Sequence, residues 1–482
     1  MRQVAIVGAG MSQFGKQIGR GLRSLSLDAV NGALASSGLQ FDDIQRVYFG
    51  NGIAGTVVQQ DMIKAQVVFR NHPLAHAPMI NVENACASGG SAFLLAVEAV
   101  ASGCVDVALA VGTEQMHHVD KTRAFNALRG STDIDEIGEV EPGSTSANSI
   151  LMDFYAGVAQ SYLDKYGASV EDFARVAVKN REHASHNPFA YLRTPQTIEE
   201  VLGARVIVSP LTLPMCSPVT DGSSAIIVCS LEKAKAISDT AILVRACMNA
   251  SGAGGQPVAT AAQQVYAYSG VSPHDIDLFE LHDAAAPAEL MQYHEVGLCE
   301  VGGGTQLIRD GVTKLGGKFP VNTSGGLLSR GHPLGATGCA QIYELVQQLR
   351  GVAGARQVEG ARLGLAINGG GTSVSAPLEH LNRRREQVDL VVLVSDNESW
   401  RDTRQGGQTA TMLQWDALKR RCPQARLVCI DLQPVASSQT VQRGDVLHIG
   451  GFSDAVFDLI AQYAAAAEDG SSWVERIQDM AL

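Results

Sequence analysis

Apolar residues follow two alternating patterns along this chain. Short continuous runs, VAIVGAG (4–10), RVYFGNG (46–52), PMINVENA (78–85) and VDVALAVGTE (105–114), have the length and content of strands buried on both faces. Between them lie segments 24–37, 60–70 and 91–102, apolar at helical spacing, with Ser24 or Ser26 the expected N-cap of the first and Gly38 its terminator. Such alternation predicts a largely parallel sheet covered by helices. Residues 115–215 break the rhythm with loops rich in Gly, Ser, Thr and Pro and with helices near 149–166, 170–186 and 197–203. The sheet resumes with SPVTDGSSAIIVCS at 217–230.

A second pass through the same order begins at Ala241. It contains strand AILVRACMNASG, helix 257–270, strand IDLFELHD, helix 287–297, a glycine-rich loop, helix 339–350 and strands RLGLAINGG and TSVSAPLEHL. Loop, helix and strand over 84–113 match those over 329–370, so the chain reads as an internal duplication with two similar halves facing each other. After the charged stretch Arg383 to Glu386 come VDLVVLVSDNESW, helix 408–421, ARLVCIDL, DVLHIGG and helix 453–467, a partial doubly wound α/β segment. The expected domains are 1–240, with an inserted loop region at about 115–215, then 241–385 and 386–482.

Composition narrows the class. With 482 residues, 45% hydrophobic and 18% charged, the chain has material for large packed cores. Its apolar stretches stop short of the roughly eighteen residues of a membrane span, and MRQVAIVGAG already reads as strand and turn, so neither a span nor a signal peptide is expected. Nine cysteines without a CxxC pair predict reduced thiols in a cytoplasmic protein and no metal. The formal charge of −12 argues against nucleic-acid binding while leaving room for a local basic groove.

Three residues carry the candidate chemistry. Cys86 lies where an apolar run ends, before the expected turn Ser88-Gly89-Gly90 and an alanine-rich helix. Helix-start N–H groups there are expected to favour the thiolate and lower the thiol pKa. Small neighbours, Ala85, Ala87 and Ser88, would let a substrate carbonyl reach the sulfur, as at a nucleophile elbow. His282 ends the run IDLFELHD, and His332 stands on the loop NTSGGLLSRGHPLGATG (322–338). Cysteine with two loop histidines is a nucleophile-plus-base set. The other cysteines considered, at 104, 216, 229, 247, 299 and 339, are expected in the core.

The motifs NACASGG, HDxxxxAEL, NTSGGLLSRGHPLGATG and INGGG, in this order over roughly residues 1–385, resemble the thiolase superfamily, nearest to its sterol-carrier-protein and archaeal branch with the lipid-transfer-type relatives. The resemblance implies a duplicated βαβ thiolase fold, layered α/β/α/β/α. It also implies acyl transfer from a coenzyme A thioester through an acyl-Cys86 intermediate, coenzyme A being substrate and not bound cofactor. His332 would take the thiol proton and His282 would hold an oxyanion hole. The backbone of Cys86 and of Gly369, Gly370 or Gly371 would form a second. A homodimer or homotetramer is implied, and Lys121, Arg123 and Arg129 lie where phosphates of coenzyme A could be met.

The family's second proton carrier is a cysteine at one of two places, and here those places hold Ala284 and Ile367. Three chemistries remain open: a proton moved by a group the sequence does not identify, with His332 and His282 among the candidates, decarboxylative condensation, or aldolase-type chemistry with a small OB-fold partner subunit. A non-catalytic acyl-CoA-binding scaffold is the reading from another class. SDNESW, LVCIDLQP and VLHIGGFSDAVF resemble the von Willebrand factor A part of bacterial Ro RNA-binding proteins. Asp396 matches that domain's late metal-site aspartate, but the upstream half of such a site is absent, so no metal is expected.

Overall fold

The computed structural model describes residues 2–131, 150–250, 257–369, 390–395, 410–423, 425–431 and 446–450. Among the described residues, eight strands precede residue 250: β1 (Val4–Met11), β2 (Arg46–Gly50), β3 (Met79–Val82), β4 (Val107–Glu114), β5 (Val206–Val208), β6 (Leu211–Thr212), β7 (Gly222–Ser230) and β8 (Ile242–Val244). Six of them form one sheet in the order β3-β2-β4-β7-β1-β8. The strands β3, β2 and β4 are parallel, whereas β7 runs antiparallel to both β4 and β1, and β8 antiparallel to β1. The sheet is therefore mixed, not largely parallel as expected. The long segment after β4 returns the chain to enter β7 from the opposite end. The strand expected to open the second half at Ala241 contributes β8 to the edge of the first sheet.

Strands β1, β4 and β7 are buried along their whole length. Alternation along them sorts residues to two faces. Ala5, Val7, Leu109, Val111 and Ile227 meet helix α1 (Leu22–Ala35), while Ile6, Ala108, Ala110, Ile226 and Val228 meet helix α2 (Ser88–Ala101). Each fully buried Val, Leu or Ile contributes about 1.5–3 kcal/mol, so these faces dominate the stability of this sheet. Helix α1 starts after Gly21 and not at a serine cap: Ser26 is buried, its hydroxyl 2.7 Å from that of Thr113.

The inserted region contributes α3 (Ile150–Lys165) and α4 (Val170–Ser185), the latter opened by a capping box between Ser169 and Asp172. The second half supplies β9 (Leu278–Glu280), α5 (Ala286–Glu295), α6 (Leu334–Leu349) and β10 (Gly364–Ala366). Strand β10 pairs in parallel with β9 as β4 does with β2, and in chain order a loop and a central helix, α6 and α2 respectively, lie between the paired strands. Helix α6 packs on α2 and on the first sheet on one side and on β9 and β10 on the other. Helix, sheet, central helices and second sheet thus lie in layers.

Residues 1–249 and 261–370 form one compact unit, and residues 250–260 with 371–482 a second. The boundary expected at 385, the strand TSVSAPLEHL, Asp396 and the helix 453–467 lie outside the described residues. In the second unit, β11 (Leu390–Ser395), β12 (Arg426–Asp431) and β13 (Val446–Gly450) are parallel in that order, and Met412, Trp415 and Leu418 of α7 (Ala410–Lys419) cluster with Leu427 and Val446. No helix among the described residues is long and apolar enough to cross a membrane.

Candidate active site

Cys86 stands on a single 3-10 turn, Ala85–Ala87, between β3 and α2. Ser88, Gly89 and Gly90, expected as a turn, are instead the first residues of α2. Ala85 adopts φ +43°, a left-handed conformation costly for a residue with a β-carbon, and so throws the next residue off the end of the helix. Ser88 Oγ holds this turn by donating to Ala85 O at 2.7 Å and accepting from Asn84 N at 2.9 Å. Ile53, Val57, Met116, Ala127 and Leu334 form an apolar cluster against which Cys86 and Val219 pack.

His332 Nε2 lies 3.4 Å from Cys86 Sγ, and its Nδ1 lies 2.7 Å from Thr337 Oγ1. The His282 ring meets that of His332 edge to face, centroids 5.1 Å apart. One ligand-type atom from each of Cys86, His282 and His332 lies within 4.8 Å of the others. The three residues read from the sequence are therefore brought together from two halves of the chain.

Each is held by its own element. His282 is clamped through its backbone: its N–H donates to Gln292 Oε1 and its carbonyl accepts from Gln292 Nε2, both at 2.8 Å. Asp283 accepts from Leu327 N at 2.7 Å and Leu328 N at 3.3 Å, capping the turn that leads to His332, and from Asn180 Nδ2 of α4 at 2.8 Å. A β-carbon on Gly326 would come 2.2 Å from the Asp283 carboxylate, which is why the loop needs glycine there. Glu280 takes Ser324 N and Oγ, and Asn322 links Leu281 N to Glu289. Glu289 in turn is paired with the buried Lys179.

Electrostatics depart from the sequence expectation. Neighbours surround the sulfur so closely that burial pushes the Cys86 thiol up to about 12, with Glu114 adding repulsion; the helix start does not prevail. Burial, then the neighbouring His282 and Arg330, hold His332 well below its ordinary value, and burial followed by Arg330 takes His282 down to about 3. Burial on this scale favours a neutral thiol beside neutral imidazoles over a thiolate–imidazolium pair.

Sequence reading missed Glu114, Thr337 and Asn368. Glu114, buried, accepts from Gly52 N, Ile53 N, Asn51 Nδ2 and Gly335 N, so one carboxylate ties the end of β4 to the start of α6. Its signal was an acidic residue closing the apolar strand VALAVGTE. Asn368 Nδ2 donates to Cys86 O at 3.0 Å and lies 3.4 Å from His282 Nδ1. Gly369 follows Asn368 in a half-buried segment; Gly370 and Gly371 lie outside the described residues. Ala284 and Ile367 are buried and apolar. Among the cysteines, 216, 229 and 339 are buried and 247 and 299 half-buried, but Cys104 is exposed, contrary to expectation. Arg123 is turned to Val57 O and to Asp120, and Lys121 is exposed.

Comparison with known proteins places these features in a family. Residues 4–195 match the thiolase N-terminal domain and residues 245–379 a thiolase C-terminal domain-like model. The chain is 37% identical over 394 residues to an acetyl-CoA acetyltransferase of Methanothermobacter thermautotrophicus, covering 80% of this chain and 100% of that one. It is 37% identical over 374 residues to the benzoylsuccinyl-CoA thiolase subunit BbsB of Thauera aromatica, covering 74% and 92%. Among solved structures, an Ltp2-ChsH2(DUF35) aldolase matches with TM-score 0.62 and 28% identity over 76% of this chain and 94% of that one.

Proposed function

The chain belongs to the thiolase superfamily, with its duplicated α/β fold, and is a thiolase-like acyltransferase acting on acyl-CoA thioesters; we propose that Cys86, His332 and His282 carry that transfer. Cys86 Sγ attacks the thioester carbon while His332 Nε2, 3.4 Å away, takes the thiol proton. The carbon–sulfur bond to coenzyme A breaks, the leaving thiolate recovers the proton from His332, and acyl-Cys86 remains. His282 stabilises the oxyanion while the tetrahedral centre exists. The high thiol pKa fits this order: the proton leaves as the new bond forms, not beforehand. The close approach of His332 to Cys86 is the observation that carries the reading.

The acceptor step is constrained by Ala284 and Ile367. Neither can remove an α-proton, so the carbanion comes from proton removal by another group, His332 and His282 being the candidates, from decarboxylation or from retro-aldol cleavage. The last is favoured as second reading by the 28% identity to a solved aldolase complex whose description includes a DUF35 component. A small partner subunit of that kind, an OB-fold protein, is proposed on the same ground. Membership in this enzyme family leaves the non-catalytic scaffold without support.

A homodimer is proposed from β3, which has a neighbour on one side only among the described strands and exposes Ile80 at 44%, with Met62 and Ile63 also exposed. A cytoplasmic location is proposed on the nine cysteines without a CxxC pair. The parallel strands β11, β12 and β13 support the reading of the tail as a partial von Willebrand factor A-like segment.

Intact-protein mass spectrometry after incubation with acetyl-CoA and longer acyl-CoAs tests the central reading. An added acyl mass, lost in Cys86→Ala, is expected. No adduct from any donor on folded protein would overturn acyl transfer and favour the aldolase reading.

A further inference from the structure

We infer that Thr337 and Asn368 are positioning residues that give the two active-site imidazoles opposite tautomers: His332 presents a bare Nε2 to Cys86, and His282 carries its proton on Nε2. Burial disfavours the charged form of both rings, and a neutral imidazole has one ring proton to place.

For His332 the placement follows from counting donors. Thr337 Oγ1 lies 2.7 Å from His332 Nδ1 and 3.0 Å from Pro333 O, and Cys86 Sγ lies 3.4 Å from Nε2. With the ring proton on Nδ1, the thiol donates to Nε2, Nδ1–H donates to Oγ1, and the Thr337 hydroxyl donates to Pro333 O. Three protons then have three acceptors. With the proton on Nε2, the hydroxyl must turn from Pro333 to Nδ1, and the thiol proton loses its acceptor. The first arrangement keeps one more hydrogen bond in a buried place, where an unmade one is costly.

Asn368 Nδ2 donates to Cys86 O at 3.0 Å, which fixes the end of the amide that faces the site. The same nitrogen lies 3.4 Å from His282 Nδ1. An amide NH₂ cannot accept a hydrogen bond, so Nδ1 must be bare and the proton must sit on Nε2.

The purpose of this arrangement rests on the acyl-transfer reading, which needs one imidazole as proton acceptor and the other as donor to an oxyanion. The protonation pattern itself does not. Thr337, in the first turn of α6, lies five residues after His332 on the loop before it, and Asn368 joins the nucleophile's own carbonyl to His282. Acceptor and donor are thereby assigned before substrate arrives.

The test is long-range ¹H–¹⁵N NMR of the full chain labelled at histidine nitrogens, with His282→Gln and His332→Gln to assign the signals. The expected pattern is Nδ1–H for His332 and Nε2–H for His282. Thr337→Val is expected to move His332 toward Nε2–H and to slow Cys86 alkylation by iodoacetamide roughly ten- to a hundredfold at neutral pH, with Thr337→Ser restoring both. Asn368→Asp, which puts an acceptor where a donor stood, is expected to move the His282 proton to Nδ1. An Nε2–H signal for His332 in the unaltered protein would overturn the inference whether or not any variant folds. Tautomers as assigned, together with no acyl-Cys86 from any acyl-CoA, would leave this inference standing and remove the acyl-transfer reading.

Discussion

The carbonyl oxygen of Gly335 lies 2.1 Å from where a β-carbon on Gly112 would stand. Strand β4 of the first half and the start of α6 of the second touch there without any side chain between them, three residues after His332. Gly112→Ala is therefore expected to push α6 away, to cost about 1–3 kcal/mol by overpacking, and to weaken the assistance that His332 gives Cys86. Urea unfolding and iodoacetamide alkylation of Cys86 measure the two effects. Gly21→Ala, at the N-cap of α1 and with nothing within 4 Å, should leave the alkylation rate unchanged.

The neutral thiol has a kinetic signature. Because burial raises Cys86 to about 12, thiolate appears only on the alkaline side, and its fraction grows about tenfold per pH unit at neutral pH. Alkylation should climb through the neutral range without the step near pH 6–7 that an imidazolium-paired thiolate would give. A plateau from mildly acidic pH upward would contradict this.

Asp283 is a structural keystone as much as a neighbour of the site. Asp283→Ala strips acceptors from Leu327 N, Leu328 N and Asn180 Nδ2 in a buried region. A loss of at least about 2 kcal/mol is expected from the donors left unpaired, read as a lower urea midpoint. The glycine loop carrying His332 should also become more accessible to protease.

Ala284→Cys restores a thiol to a family position for the second proton carrier. If absence of that group limits carbanion formation, deuterium exchange from D₂O into the methyl group of acetyl-CoA should accelerate by about 10²-fold or more. An unchanged exchange rate would place carbanion formation in decarboxylation or carbon–carbon cleavage.

The β3 edge offers a test of assembly. Ile80→Lys puts a charge in place of an exposed apolar side chain on this edge and should shift the mass seen by light scattering to that of one chain. An unchanged mass would move the interface elsewhere.

Much of the site was legible before folding because its signals are local. Cys86 between small residues, His282 at the end of an apolar run and His332 on a glycine-rich loop declare reactive groups on exits from regular structure, and these are the residues brought together. The helices α3, α4 and α6 lie where periodicity put them, α6 starting five residues early because Pro333 can precede its first turn. Other features depend on distance. The direction of β7 and the placing of β8 are set by which edges remain open once the chain returns, and periodicity along a strand does not encode its neighbour. The thiol pKa went up where the helix-start argument pointed down, because desolvation depends on how many atoms the whole fold packs around the sulfur. Asn368 reaches a carbonyl 282 residues away. The sequence determined which chemical groups the protein carries and which turns display them; tertiary structure decided their protonation, their partners and their mutual distances, since those arise from contacts between segments that no local pattern contains.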